Sequence, residues 1–146
     1  HMNFNNLNQL YRSVIMDHYK TPRNKGVIDD GTMTVDMNNP TCGDAIRLTL
    51  DVQDEIVQDA KFDGEGCSIS LASASMMTEA IKGKSIQHAL EMSEEFSKMM
   101  LGEDYDISEE DGDIEALSGV SQFPARIKCA TLTWKALEKG VKETGQ

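Results

Sequence analysis

The sequence is poor in aromatic residues, at 5%, and holds only three prolines and three cysteines among 146 residues. Three cysteines cannot close a complete set of disulfides, so the thiols are left as small hydrophobes, redox groups or metal ligands. No apolar run approaches the roughly 18 residues that a spanning helix needs, which excludes an integral membrane protein and predicts a soluble one. Basic residues are also scarce. Against 25 Asp and Glu stand 14 Lys and Arg, a formal charge of -11, which removes the counterion release that drives most nucleic-acid binding. Neither nucleic acid nor membrane is an expected partner. No basic segment leads into an apolar stretch at the start, and His1-Met2 reads as a cloning remnant, so a cytoplasmic protein is expected. P-loop, GxSxG and HExxH patterns are missing, leaving nucleotide-binding, serine-hydrolase and zinc-protease readings without support. No internal repeat is found, and the length fits one domain over residues 1–146.

What is present reads as helix, strands, then helices. Leu7, Leu10, Tyr11, Val14, Ile15 and His18 recur at steps of three and four, predicting an amphipathic helix over 4–20 that Thr21-Pro22 ends. Alternation predicts strands over 32–38 and 45–52, and Asp54-Glu55 is a hairpin turn into a third strand over 56–62. A helix over 68–82 stops at Gly83, Ser85 caps a short helix through Glu91, and Pro124 opens a last helix repeating Ile127, Ala130, Trp134, Leu137 and Val141. The expected fold is α+β, with a small three-stranded antiparallel sheet covered by helices. Between residues 93 and 120 lie ten Asp or Glu and one Lys. This stretch reads as an acidic insert that forms a solvated face, with a docking surface as the rival.

Each cysteine sits where a thiolate is favoured. Cys42 lies in the loop Asn39-Pro40-Thr41-Cys42-Gly43-Asp44, and Asp44 can aim an oxygen at the same centre. Cys67 stands where Gly64-Glu65-Gly66 gives way to a helix, near the positive end of its dipole. Cys129 follows Arg126 by three positions on one helical face. Taken singly, each reads equally well as a buried apolar side chain. Together with Asp44 they offer three sulfurs and one oxygen, a set suited to tetrahedral zinc, although the spacings are not those of a zinc finger. The carboxylate is the harder and more easily displaced ligand. His18 and His88 lie in helices without a nearby second donor and are not expected to bind metal. The nine methionines and Trp134 read as core.

At Asn39-Pro40-Thr41-Cys42-Gly43-Asp44, Gly64-x-Gly66-Cys67-Ser68-Ile69-Ser70 and Ala125-Arg126-x-Lys128-Cys129-Ala130 the chain resembles the iron-sulfur assembly proteins of the IscU and NifU N-terminal family, and most of all its SufU branch. The resemblance covers nearly the whole chain and implies an IscU-like fold with Cys42, Asp44, Cys67 and Cys129 as metal ligands. It also implies a zinc-dependent sulfurtransferase that takes persulfide sulfur onto Cys42 from a pyridoxal-phosphate cysteine desulfurase of the SufS type. Docking would free Cys42 as the nucleophile, with Asp44 and Arg126 tuning its release, and iron-sulfur scaffold proteins would lie downstream. Two departures separate the chain from the scaffold branch. Lys128 stands where IscU proteins have His, and Gln122-Phe123-Pro124-Ala125-Arg126 replaces the Leu-Pro-Pro-Val-Lys motif. The acidic insert is typical of SufU. The rival functions are a scaffold carrying a transient [2Fe-2S] cluster on the same thiolates and a purely structural zinc domain.

Overall fold

The computed structural model describes residues 4–41 and 43–144, with side chains from residue 9 onward apart from Cys42. The side chains of Leu7 and Cys42 therefore lie outside the described residues. The order is α1 (Phe4–Lys20), β1 (Met33–Asn39), β2 (Asp44–Gln53), β3 (Ile56–Glu65), α2 (Ser68–Ile81), α3 (Ile86–Met100), a run of 3-10 turns (Glu109–Gln122) and α4 (Pro124–Thr144). The strands form one antiparallel sheet in the order β1-β2-β3. Asp54 and Glu55 make the second turn with φ of 51° and 63°, the left-handed pair that matches strand twist in a two-residue hairpin.

β3 runs three residues beyond the expected strand. Asp63, Gly64 and Glu65 break the apolar pattern but still pair with Arg47, Ile46 and Ala45. Gly64 takes φ 136°, and a Cβ there would run into the Ala45 carbonyl, so only glycine lets β3 reach the site at this point.

Helices cover one sheet face. α2 is buried nearly all round, and its small residues let neighbours approach closely: Ser73 Oγ donates to the Ala130 carbonyl at 2.7 Å and accepts from Trp134 Nε1 at 3.2 Å. That pair locks α4 against α2, and Gly140 lets α4 lie on β1, since a Cβ there would stand 2.5 Å from Met33 Sδ. Trp134 is buried and stacks on Phe96 with ring centroids 4.9 Å apart. Met76, Met77, Met99 and Met100 are core, as expected.

Two expectations change. α3 continues past Glu91 to Met100, because Ile86, Ala89, Ser93, Phe96 and Met100 keep one buried stripe. Ser93 hides the pattern, and its hydroxyl donates to Glu138 Oε2 at 2.6 Å on α4. The acidic stretch is also not merely a solvated face. Ile114, Ala116, Leu117 and Val120 are buried in the main core, with Tyr105 and Ile107 packed against it. Its charges point outward while its apolar residues supply part of the hydrophobic burial. Among the described residues no helix is long and apolar enough to cross a membrane.

Candidate metal centre

Asp44 opens β2 opposite Asn39, the last residue of β1, so the Cys42 loop is closed at its base by a paired strand end. Asn39 Oδ1 accepts from the Thr41 backbone N–H at 3.3 Å, and Gly43 takes φ 71°. Asp44 is buried, and its Oδ1 accepts from the Cys67 backbone N–H at 2.9 Å and from Ser70 Oγ at 3.2 Å. Cys67 is the N-cap of α2, with φ -75° and ψ 168°. Its half-buried thiol makes no cap bond and lies 3.8 Å from Ser70 Oγ. A helix start presents unsatisfied N–H groups. Here one of them, together with the Ser70 hydroxyl, orients the carboxylate.

Gly66 makes the approach possible, because a Cβ on it would collide with both Ser70 Oγ and Asp44 Oδ1. Cys129, fully buried, arrives from α4. One oxygen of Asp44, Cys67 Sγ and Cys129 Sγ lie within 4.8 Å of one another. Strand β2, helix α2 and helix α4 thus each deliver one donor. The structure brings together three of the four expected ligands, and the fourth, Cys42, lies outside the described residues between Thr41 and Gly43.

The remaining Asp44 oxygen tests whether a metal fits. Oδ2 is buried and has no hydrogen-bond partner among the described residues. A buried carboxylate oxygen without a partner costs several kcal/mol unless a cation meets it, and an oxygen of this carboxylate lies within 4.8 Å of two thiols whose deprotonation a metal would favour. Two soft sulfurs and one hard oxygen suit a four-coordinate, borderline-soft divalent ion. Asn39 Nδ2 is likewise buried without a hydrogen-bond partner among the described residues. Beside it a depression of about 570 Å³, lined also by Thr41, Pro124, Ala125, Arg126 and Lys128, opens next to the loop. Arg126 and Lys128 give this approach a positive rim.

Two further features went unread in the sequence. Ser70 closes the Gly64-x-Gly66-Cys67-Ser68-Ile69-Ser70 motif, but its role was not read from it: it stands three positions into a helix, from which a hydroxyl reaches back to the cap. His18 does have second donors: its Nε2 stands 2.8 Å from Asp113 Oδ2 and its Nδ1 2.8 Å from Ser75 Oγ. Asp113 lies 95 residues away in sequence, and no local pattern joins them. His88 stays exposed on α3 with its backbone N–H bonded to Ser85 Oγ.

Comparison with known proteins gives the same outline. The chain is 71% identical over 146 residues to the zinc-dependent sulfurtransferase SufU of Bacillus subtilis, covering 99% of each. It is 46% identical to the iron-sulfur cluster assembly scaffold protein IscU of Streptococcus pyogenes, covering 98% of this chain and 89% of that one. A crystal structure of a putative iron-sulfur cluster assembly scaffold protein for the SUF system from Fervidobacterium islandicum superposes with a TM-score of 0.84 at 37% identity, covering 91% of this chain and 97% of that one. Residues 10–143 match the NifU-like N terminal domain, and the chain belongs to that family.

Proposed function

We propose that this protein is a zinc-dependent sulfur acceptor in iron-sulfur cluster biogenesis, with Cys42, Asp44, Cys67 and Cys129 as the metal ligands. The observation that carries the reading is the buried Asp44 carboxylate, whose Oδ2 has no partner among the described residues and which stands beside two cysteines. The 71% likeness to a zinc-dependent sulfurtransferase supports the choice of metal and activity. Zinc, when bound, would keep the cysteines as thiolates at neutral pH. Asp44, Cys67 and Cys129 are each held at or within regular structure, whereas Cys42 falls in sequence between β1 and β2, and we take Cys42 as the residue that reacts while the others stay.

The sulfur donor is the persulfide of a pyridoxal-phosphate cysteine desulfurase of the SufS type. The Cys42 thiolate attacks its terminal sulfur, a new S–S bond forms, the desulfurase S–S bond breaks, and its electron pair leaves on the desulfurase cysteine. No net oxidation occurs. Arg126 and Lys128 line the approach and supply positive charge where two anionic sulfurs must meet, and Arg126 and Asp44 tune the release of Cys42. The setting is the cytoplasm, where thiols are kept reduced, and scaffold proteins receive the sulfur downstream.

A [2Fe-2S] scaffold is the second reading, favoured by the 46% likeness to a protein of that name. Lys128, directly before Cys129, cannot act as the neutral nitrogen ligand that a histidine would supply. Metal analysis of the native protein, combined with desulfurase turnover in its presence, separates the two. Zinc with a large stimulation is the expected result. Iron with no stimulation would replace the transfer reading by the scaffold.

A further inference from the structure

We infer that the depression between the end of β1 and the start of α4 is a carboxylate-binding subsite, held by the Asn39 amide, the Lys128 ammonium and the Arg126 guanidinium. Its use in sulfur transfer rests on the sulfur-acceptor reading, whereas the binding itself does not.

The inference starts from Asn39, which borders the depression. The residue is only 8% exposed, and its Nδ2 has no hydrogen-bond partner among the described residues. The amide cannot be turned over, because Oδ1 accepts the Thr41 backbone N–H at 3.3 Å and exchanging the two ends would set a donor against a donor. Asn39 is also fixed from behind, since it ends β1 paired with Asp44 of β2. A buried N–H left without an acceptor costs free energy, so an acceptor arriving from the depression is stabilised at this wall.

The surroundings make that acceptor an anion. The chain carries 25 Asp and Glu against 14 Lys and Arg, and four further depressions are each lined by at least two carboxylates. This one is lined by no carboxylate and by two cations, Arg126 and Lys128. Lys128 is exposed and enters none of the ion pairs found among the described residues. α4 begins at Pro124, which puts the positive end of its dipole in the same wall. A molecule of charge -11 therefore keeps a local positive field beside the cysteine loop, where Thr41 completes the lining.

The donors select a carboxylate over a phosphate. Phosphate sites at helix starts use a cradle of backbone N–H groups. Here Pro124 has no N–H, and the Arg126 N–H is spent on the Phe123 carbonyl at 2.7 Å. Side chains supply the donors instead: one amide, one guanidinium fork and one ammonium, a set suited to two coplanar oxygens. A volume of about 570 Å³ admits an amino-acid-sized molecule or one Asp or Glu side chain of a docked protein. Either would stand beside the Cys42 loop, where sulfur must arrive and leave.

The test follows full-length, zinc-loaded, isotopically labelled protein by NMR during titration with acetate, with phosphate and chloride at matched ionic strength as controls. Acetate should move the Asn39 side-chain amide resonances along a saturable curve. Lys128→Gln, at an exposed helical position, should weaken that binding about fivefold with zinc content unchanged. Equal shifts with chloride and phosphate would mean an adventitious ion only. Unmoved Asn39 resonances, or undiminished binding in Lys128→Gln, would remove the subsite, and shifts centred on Cys67 with Asn39 unmoved would place the anion on the metal. Each of these results overturns the inference. Where the subsite holds, desulfurase binding with and without saturating acetate identifies the source: weaker binding assigns the carboxylate to the partner protein, and unchanged binding to a small molecule. Sulfur uptake by Cys42 is measured separately, so failure of the subsite and failure of the sulfur-acceptor reading are told apart.

Discussion

The cysteine centre and the acidic 3-10 segment are both polar regions drawn into the fold, and they are held in opposite ways. At the centre, three donors are delivered by three elements of regular structure, with backbone constraints at Gly64 and Gly66 setting the approach. Covalent geometry and one helix terminus orient Asp44 there. The acidic segment has no such frame. It is seated by its own buried Ile114, Leu117 and Val120 and by two long-range side-chain bonds, His18 to Asp113 and Lys84 to Glu110, while Tyr105 to Glu115 braces the stretch internally. The centre is thus a site whose donors suit a divalent ion, whereas the segment is a strongly charged exterior on an apolar footing. The difference implies that metal controls the first and hydrophobic burial the second.

Removing the metal should have the largest effect. Cys67→Ser or Cys129→Ser is expected to lose zinc together with several kcal/mol of stability, because binding at a structural-grade site is folding free energy. The loss should be greater for Cys67, which ties the centre to the start of α2. Thermal unfolding with and without chelator checks this, and equal melting temperatures would contradict it. Next comes the footing of the acidic segment. Leu117→Ala, at a fully buried position, should cost about 2–5 kcal/mol through lost burial and a residual cavity, with zinc content unchanged. Zinc loss in that variant would show that the two regions are not held separately.

A smaller effect is expected of Ser70→Ala, which removes one of two donors to Asp44 Oδ1. Supporting hydrogen bonds of this kind typically change metal affinity by about 10–100-fold, measurable by competition with a chromophoric chelator. Unaltered affinity would mean that the Cys67 N–H alone orients the carboxylate. The smallest concerns Tyr105, whose hydroxyl donates to Glu115 at 2.8 Å. Burial, then that bond and the charge of Glu115, push its pKa up to about 12 from an ordinary value near 10. Between these values the unfolded chain loses the proton first and the folded chain keeps it, so stability falls as pH rises through the interval. Ultraviolet titration should show Tyr105 ionising near 12, an ionisation that Tyr105→Phe removes, and its ionisation near 10 would break the Tyr105–Glu115 contact.

Much of this was legible because it is local. Period-two alternation marked β1 and β2, the Asp54-Glu55 turn followed from position, and Pro124 and Gly83 bounded helices by known backbone rules. Cys67 and Asp44 could be read as site residues because each stands at an element boundary, where side chains are presented instead of packed. What escaped depends on tertiary contacts. The tail of α3 was masked by Ser93, a polar residue whose partner is on α4. The acidic segment was read from its net charge, which conceals that Ile114, Leu117 and Val120 fall on one buried side of a 3-10 run, a periodicity that is neither two nor 3.6. His18 lay on a helical stripe that looked like ordinary core, and its two partners belong to α2 and the 3-10 segment.

The most direct test of the sulfur-acceptor reading is to mix the zinc-loaded protein with persulfide-loaded desulfurase and locate the added sulfur by peptide mass spectrometry. Wild type should carry one extra sulfur on Cys42, and Cys42→Ser should carry none even where its zinc is retained, because a hydroxyl cannot replace a thiolate as nucleophile. Sulfur on Cys67 or Cys129 in wild type, or undiminished uptake by Cys42→Ser, would contradict the assignment of Cys42 as the acceptor.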